Sequence, residues 1–241
     1  MKLKNQFILA VFITLSLSLK AQEDYNTQIW TDFNYMSFIG GKTAVFGDVG
    51  YRHQLNDPNW HQIIVRPSIQ YNRTSMWNFI GGIGYFHKVY NGDSFDKELR
   101  PFQGVKTNLP IFRRFHFRNY FRIEERFFLN SETQFSFRLR NQFRVNVILF
   151  NKHGRMLAIP LAGEWFFDRL GDDIETLERS RERYFVGVDY RRVEWRVKLL
   201  FNVQGNRTSP SESLVRSDVM FRVRFFYYFK PSSDFKKKTV D

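Results

Sequence analysis

Charged side chains that recur at every second position are the residues of this sequence with the clearest chemical potential. Arg138, Arg140 and Arg144 share one parity of such an alternation. Because residues two apart in a β-strand lie on one face, we expect a common polar interior lined by Glu98, Arg100, Arg118, Arg122, Glu124, Arg126, Arg138, Arg140, Arg144, Glu164, Arg196, Lys198, Arg222 and Arg224. This stripe has two interpretations. Paired Arg and Glu side chains fill a small barrel, or the excess of Arg lines a narrow channel that prefers anions.

Histidines and serines give little support for catalysis. A hydrolase needs a nucleophile and a base within hydrogen-bond reach. None of His53, His61, His87, His116 and His153 stands in a Ser-x-x-Lys, Gly-x-Ser-x-Gly or His-x-Ser arrangement. We therefore predict no catalytic residue and no cofactor.

The segment 169–182 is the place where a metal ion could bind. Its acidic residues, which could hold a divalent cation, are Asp172, Asp173, Glu175, Glu178 and Glu182. Arg169, Arg179 and Arg181 stand among them, so a solvated charged loop explains the segment better than a cation site does. We predict no metal site.

The elements that position the charged stripe are strands. Phe135, Phe137 and Leu139 alternate with Ser136 and Arg138, and this period of two indicates a strand with one apolar and one polar face. Similar segments cover residues 27–38, 43–53, 61–72, 76–88, 97–108, 115–128, 134–149, 155–168, 183–191, 193–204 and 215–229. Most are longer than the roughly 5–6 residues of soluble strands and match the roughly 9–11 of a tilted membrane-spanning strand.

The pattern predicts an all-β fold, a transmembrane antiparallel up-and-down β-barrel of ten or twelve strands. The segments number eleven, but single-chain bacterial barrels have even strand numbers. Short turns of such barrels face the periplasm and long loops face outward. The alternative is a secreted soluble barrel with an apolar core and the Arg stripes on its surface.

Composition agrees with strands that have two unlike faces. The chain has 241 residues with 28 Phe, a net charge of +13 and no Cys. The absence of Cys excludes disulfides and a lipoprotein anchor. On a barrel, Phe would face lipid and Arg the lumen, so the basic charge does not indicate a nucleic-acid partner.

The N-terminus resembles a secretory signal peptide. Lys2 and Lys4 precede an apolar run over residues 7–19, and Ala21 supplies a small residue for cleavage. We predict a signal peptide over residues 1–21, a barrel over 22–229 and a basic periplasmic tail over 230–241.

Several sequence blocks together resemble one bacterial family. They include Trp30-Thr31-Asp32-Phe33, Phe46-Gly47-Asp48-Val49-Gly50-Tyr51-Arg52, Gly81-Gly82-Ile83-Gly84-Tyr85, Glu98-Leu99-Arg100-Pro101-Phe102-Gln103 and Glu164-Trp165-Phe166-Phe167. In order and spacing these blocks resemble the family catalogued as domain of unknown function 2490. The resemblance implies an outer-membrane β-barrel of a Gram-negative bacterium and implies no activity.

We therefore expect an outer-membrane barrel with an Arg/Glu-lined lumen, either structural or a narrow anion-preferring channel. The alternative is an outer-membrane lipid hydrolase or lipid-modifying enzyme with a site at the barrel rim, so enzymatic activity is left open. The expected partners are outer-membrane lipid, lipopolysaccharide and the barrel-assembly machinery, whose C-terminal signal the segment Phe221 to Phe229 resembles. The sequence leaves the oligomeric state open.

Overall fold

A computed structural model describes residues 26–39, 41–90, 94–112, 114–129, 133–169, 177–207 and 216–230. They form a closed barrel of 11 strands: β1 (Asn26–Phe38), β2 (Thr43–Gln54), β3 (Asp57–Asn72), β4 (Trp77–Tyr90), β5 (Ser94–Phe112), β6 (Phe115–Leu129), β7 (Thr133–Lys152), β8 (Arg155–Arg169), β9 (Leu177–Arg191), β10 (Trp195–Asn206) and β11 (Arg216–Lys230). The predicted signal peptide, residues 1–21, lies outside the described residues. The predicted tail, residues 230–241, also lies outside them except for Lys230, which ends β11.

The prediction of ten or twelve strands is wrong, because every one of the eleven alternating segments forms a strand. Consecutive strands pair antiparallel, and β1 closes the barrel by pairing parallel with β11. An odd number of up-and-down strands leaves the first and last running in one direction. A parallel pair still forms a full, slanted ladder of hydrogen bonds, so an odd strand number is compatible with closure.

Side chains reinforce this seam on both faces of the sheet. On the inner face, Arg222 donates to Asp32 at 2.5 Å, and Arg224 donates to Asn34 at 2.5 Å. On the outer face, the rings of Phe33 and Phe225 stack with centroids 5.7 Å apart. The parallel pair is therefore specified by the side chains as well as by the backbone.

The two ends of the barrel differ in their connections. We call the end where β1 begins the N-terminal end and the end where β11 finishes the C-terminal end. The connections at the C-terminal end are short, and the two longest ones, residues 170–176 and 207–215, belong to the N-terminal end. The β7–β8 turn is formed by His153 and Gly154, both with positive φ, as a two-residue type I′ hairpin requires.

The barrel carries its apolar side chains outside and its charges inside. Large apolar side chains are exposed on the outer surface of every strand, among them Phe33, Val49, Ile69, Ile83, Phe121, Phe135, Leu161, Val188, Leu199 and Phe221. Glu124 and Asp189, in contrast, have no exposed surface. No helix in the described part of the chain is long and apolar enough to cross a membrane.

Candidate functional site

The charged residues singled out from the sequence lie inside the barrel. Those that are buried are Glu98, Arg122, Glu124, Arg138, Arg144, Glu164 and Lys198. Those that are partly buried are Arg100, Arg118, Arg126, Arg140, Arg196, Arg222 and Arg224. Strict alternation along β5 to β8, β10 and β11 aims them into the same space.

An ion-pair network occupies the half of the lumen nearer the N-terminal end. Glu98 receives hydrogen bonds from Arg100 at 2.8 Å and from Arg126 at 2.6 Å. Arg100 also reaches Glu124 at 3.2 Å, and Glu124 forms a further ion pair with Arg122. Each carboxylate thus receives more than one guanidinium, which is the arrangement that makes buried charges tolerable.

The network continues onto the next strands. Arg138 donates to Asp168 at 2.5 Å, and the Ser180 hydroxyl donates to the same carboxylate at 2.7 Å. Glu164 forms ion pairs with Arg140 and with Arg183, the latter at 3.2 Å. Together these contacts link β5 to β9 through their inner faces.

Trp30 completes a central plug, by which we mean Trp30, Arg52, Glu124, Glu164 and Arg183. The Trp30 ring is 3% exposed and has the guanidinium groups of Arg52 and Arg183 over it, at 3.8 and 4.9 Å from the ring centroid. Because β9 and β1 are separated by two other strands, Arg183 reaches across the lumen. Cation–π contacts of this kind are strongest when desolvated.

A cavity of about 360 Å³ lies between this plug and the C-terminal end of the lumen. Its lining includes two carboxylates, Asp48 and Glu164. The basic residues that line it are Arg52, Arg66, Lys106, Arg118, Arg122, Arg140, Arg144, Arg183, Arg191, Arg196, Lys198, Arg222 and Arg224. We call this cavity the basic chamber.

Some of the chamber's cations are neutralised and others are not. Arg66 pairs with Asp48 at 2.6 Å, and Lys198 pairs with Asp189 at 3.2 Å. Lys106, Arg118 and Arg144, from three neighbouring strands, form no salt bridge with any residue that the structure describes. The chamber therefore has an excess of positive charge on the wall formed by β5, β6 and β7.

Sequence reasoning missed several residues of the lumen. Trp30 is not among the lumen residues expected from the sequence, and the available signal is its parity, which it shares with Asp32. Asp189 and Arg183 lie on β9, where Phe185 and Gly187 occupy the same face, so the alternation is too weak to identify them.

The acidic segment 169–182 shows ion pairs where it is described. Glu178 pairs with Arg207 at 3.2 Å, and Glu182 pairs with Arg179 at 3.6 Å. Asp172, Asp173 and Glu175 lie outside the described residues. Within the described ranges, no group of three or more His, Asp or Glu side chains could hold a metal ion.

Comparison with known proteins finds a match to one family. Residues 27–213 match the family described as "Protein of unknown function (DUF2490)". A search of curated proteins gives no match to the chain.

Proposed function

The chain belongs to the DUF2490 family, whose description carries no function, and we propose from the site that it is an outer-membrane β-barrel whose lumen is closed to free ion flow. It would act as a structural barrel that presents the basic chamber at one end. Membrane insertion is argued from the apolar outer face of the sheet, and the closed lumen is argued from its charged inner face.

The central plug is the observation that carries the proposal. Glu124 is 0% exposed and Glu164 is 1% exposed, whereas a water-filled pore would hydrate the carboxylates on its wall. Ile64, on the opposite side, is also 0% exposed. Barrels of about 8 strands are filled by their own side chains, and open aqueous channels need about 16–18; the 11 strands here are closer to the filled class.

The outer surface supports insertion into a membrane. Phe135, Leu199 and Phe221 are each more than half exposed, and side chains like them cover the outer face of the barrel. Monomeric soluble proteins rarely expose contiguous apolar surface beyond a few hundred Å². An apolar band on the outside with polar residues inside is typical of outer-membrane barrels.

A narrow anion-preferring channel is the second candidate. The excess of Arg and Lys over carboxylates in the basic chamber favours it, because rings of such residues select anions. Conduction would require Arg183 to leave Trp30 and Glu164, so that the plug opens.

Planar-bilayer recordings distinguish the two candidates. We expect refolded protein to insert without producing stable conductance steps, while a large porin tested in the same bilayers produces them. Insertion is checked separately by flotation of the protein with lipid vesicles and by a heat-modifiable shift on gels. Stable anion-selective conductance steps would contradict the closed lumen and support the channel. Protein that neither floats with vesicles nor shows the gel shift would contradict the membrane barrel itself.

A further inference from the structure

The wall formed by β5, β6 and β7 places three cations next to one another. Arg118 and Arg144 are direct cross-strand partners, and both line the chamber. Like charges directly opposite each other destabilise a sheet. Lys106 lies on the adjacent strand, opposite Tyr120, so a third cation stands diagonally next to Arg118.

These cations find only neutral partners within the described part of the barrel. Arg118 donates to Asn108 at 2.7 Å, and Arg144 donates to Gln142 at 3.0 Å. Lys106 is 3.4 Å from the Gln70 oxygen. Arg196 and Arg224 line the same chamber and add further positive charge to it.

Arg144 also keeps an unused donor. Its side chain is 8% exposed, and its Nε is buried with no hydrogen-bond partner. A buried donor without a partner destabilises the folded protein. The same lumen supplies carboxylates to Arg138, Arg140 and Arg196, so the chain could have neutralised Arg144 in the same way.

We propose that the basic chamber binds the phosphate group of a small molecule, with Arg118, Arg144 and Lys106 as its ligands. Guanidinium groups match phosphate oxygens through paired N–H donors, and the unused Nε of Arg144 is one such donor. A cavity of about 360 Å³ lies within the range of small-ligand pockets. Phosphate would neutralise the cluster and enter from the C-terminal end.

The phosphate could come from a soluble compound or from a lipid headgroup, and calorimetric titration separates these sources. Refolded protein in phosphate-free nonionic detergent is titrated with inorganic phosphate and, separately, with monomeric dihexanoyl phosphatidic acid. We expect a dissociation constant for inorganic phosphate that is weakened about tenfold or more in Arg118→Gln and Arg144→Gln, because each loses a charge-assisted contact. Binding of phosphatidic acid alone, with the same loss in both variants, would support the site with lipid as the source.

Arg155→Gln is the matched control, since Arg155 is exposed at the same end of the barrel and does not line the chamber. We expect it to bind phosphate like the wild type. Without phosphate, we also expect Arg144→Gln to resist urea at least as well as the wild type, because it relieves repulsion with Arg118. Failure of both compounds to bind, equal weakening in Arg155→Gln, or a clear loss of stability in Arg144→Gln would overturn the proposal.

The inference rests on the proposed function in one respect, namely that the chamber is reached from the C-terminal end. The two fail separately. Stable conductance in bilayers would contradict the closed lumen and leave the titration result intact, whereas failure of both phosphate compounds to bind would contradict the site and leave the evidence for the plug intact.

Discussion

At the scale of single residues, Glu124 is the centre of the lumen. It is fully buried, and its carboxylate forms ion pairs with Arg122 and Arg100. Guanidinium nitrogens of Arg138 and Arg140 each lie 3.9 Å from a carboxylate oxygen of Glu124. A buried ion pair adds little to stability when compared with well-packed apolar side chains. Removal of one partner is different, because the remaining charges stay buried without compensation.

Glu124→Gln should therefore lower the free energy of unfolding by about 3–5 kcal/mol. The substitution keeps the shape of the side chain and removes the charge that compensates Arg122 and Arg100. Reversible urea unfolding of the barrel in lipid vesicles measures the change.

Glu125→Gln is the control for that experiment. Glu125 is the next residue of β6, is exposed and forms no salt bridge within the described residues, so its substitution should change stability by about 0.5 kcal/mol or less. Equal effects of the two substitutions would mean that Glu124 does not compensate the buried arginines.

The charged stripes were predictable at this scale because their parity is strict, whereas their partners were not. Asp32 and Asp189 compensate Arg222 and Arg196, which lie on other strands, and Asp32 has only apolar or neutral neighbours on its own face of β1. Which carboxylate meets which arginine depends on the registers between strands, and alternation within a single strand does not contain that information.

At the scale of elements, the alternating segments predicted the positions of all eleven strands. The error was in the closure. The even strand numbers of single-chain bacterial barrels predict ten or twelve strands, whereas the eleven alternating segments correspond to the eleven strands of the structure. The parallel seam depends on pairing between residues about 190 positions apart, such as Asp32 and Arg222, which periodicity does not reveal.

The seam predicts a specific disulfide. Thr31 and Val223 are parallel partners on β1 and β11, and neighbouring strands lie about 4.7–4.9 Å apart, within the Cα separation of roughly 4.4–6.8 Å that a disulfide needs. The chain has no Cys of its own. We expect Thr31→Cys with Val223→Cys to cross-link under mild oxidation, which is visible as faster migration of the denatured chain on a non-reducing gel.

Thr31→Cys with Val219→Cys is the offset control, since the partner of Val219 is Thr27. This pair should stay reduced in the folded barrel. Cross-linking of the offset pair instead of the matched one would require a different register or a different strand count.

At the scale of the whole molecule, the energetic cost of a charge on the apolar outer face depends on whether lipid or water surrounds the barrel. Leu161 is 45% exposed near the middle of β8 and pairs with Val145 and Val186. Leu161→Arg should cost about 2–4 kcal/mol in a bilayer if that position lies near the midplane. In a soluble barrel the same change would cost little.

Leu149→Arg provides the comparison, because Leu149 is 52% exposed but close to the end of β7, where an arginine reaches the interface. Its expected cost is about 0–1 kcal/mol. Unfolding from vesicles measures both variants, and equal tolerance of the two substitutions would contradict a membrane-spanning barrel.

The orientation of the barrel decides which compartment reaches the basic chamber. Short turns of outer-membrane barrels face the periplasm, and the short connections of this chain lie at its C-terminal end, as does the chamber. Ser75 is exposed in a turn at that end, and Leu55 is exposed in a turn at the opposite end. A single Cys at either position is the only thiol of the chain.

We expect a maleimide reagent too large for porins to label Leu55→Cys in intact cells, and to label Ser75→Cys only after the outer membrane is permeabilised. Gel shifts of the labelled protein measure both, and labelling of permeabilised cells shows that each thiol is reactive. The reverse pattern would turn the chamber toward the outside, so that its phosphate would come from the medium or the outer leaflet. Equal labelling in intact cells would contradict a spanning topology, since the two turns would then share one side of the membrane.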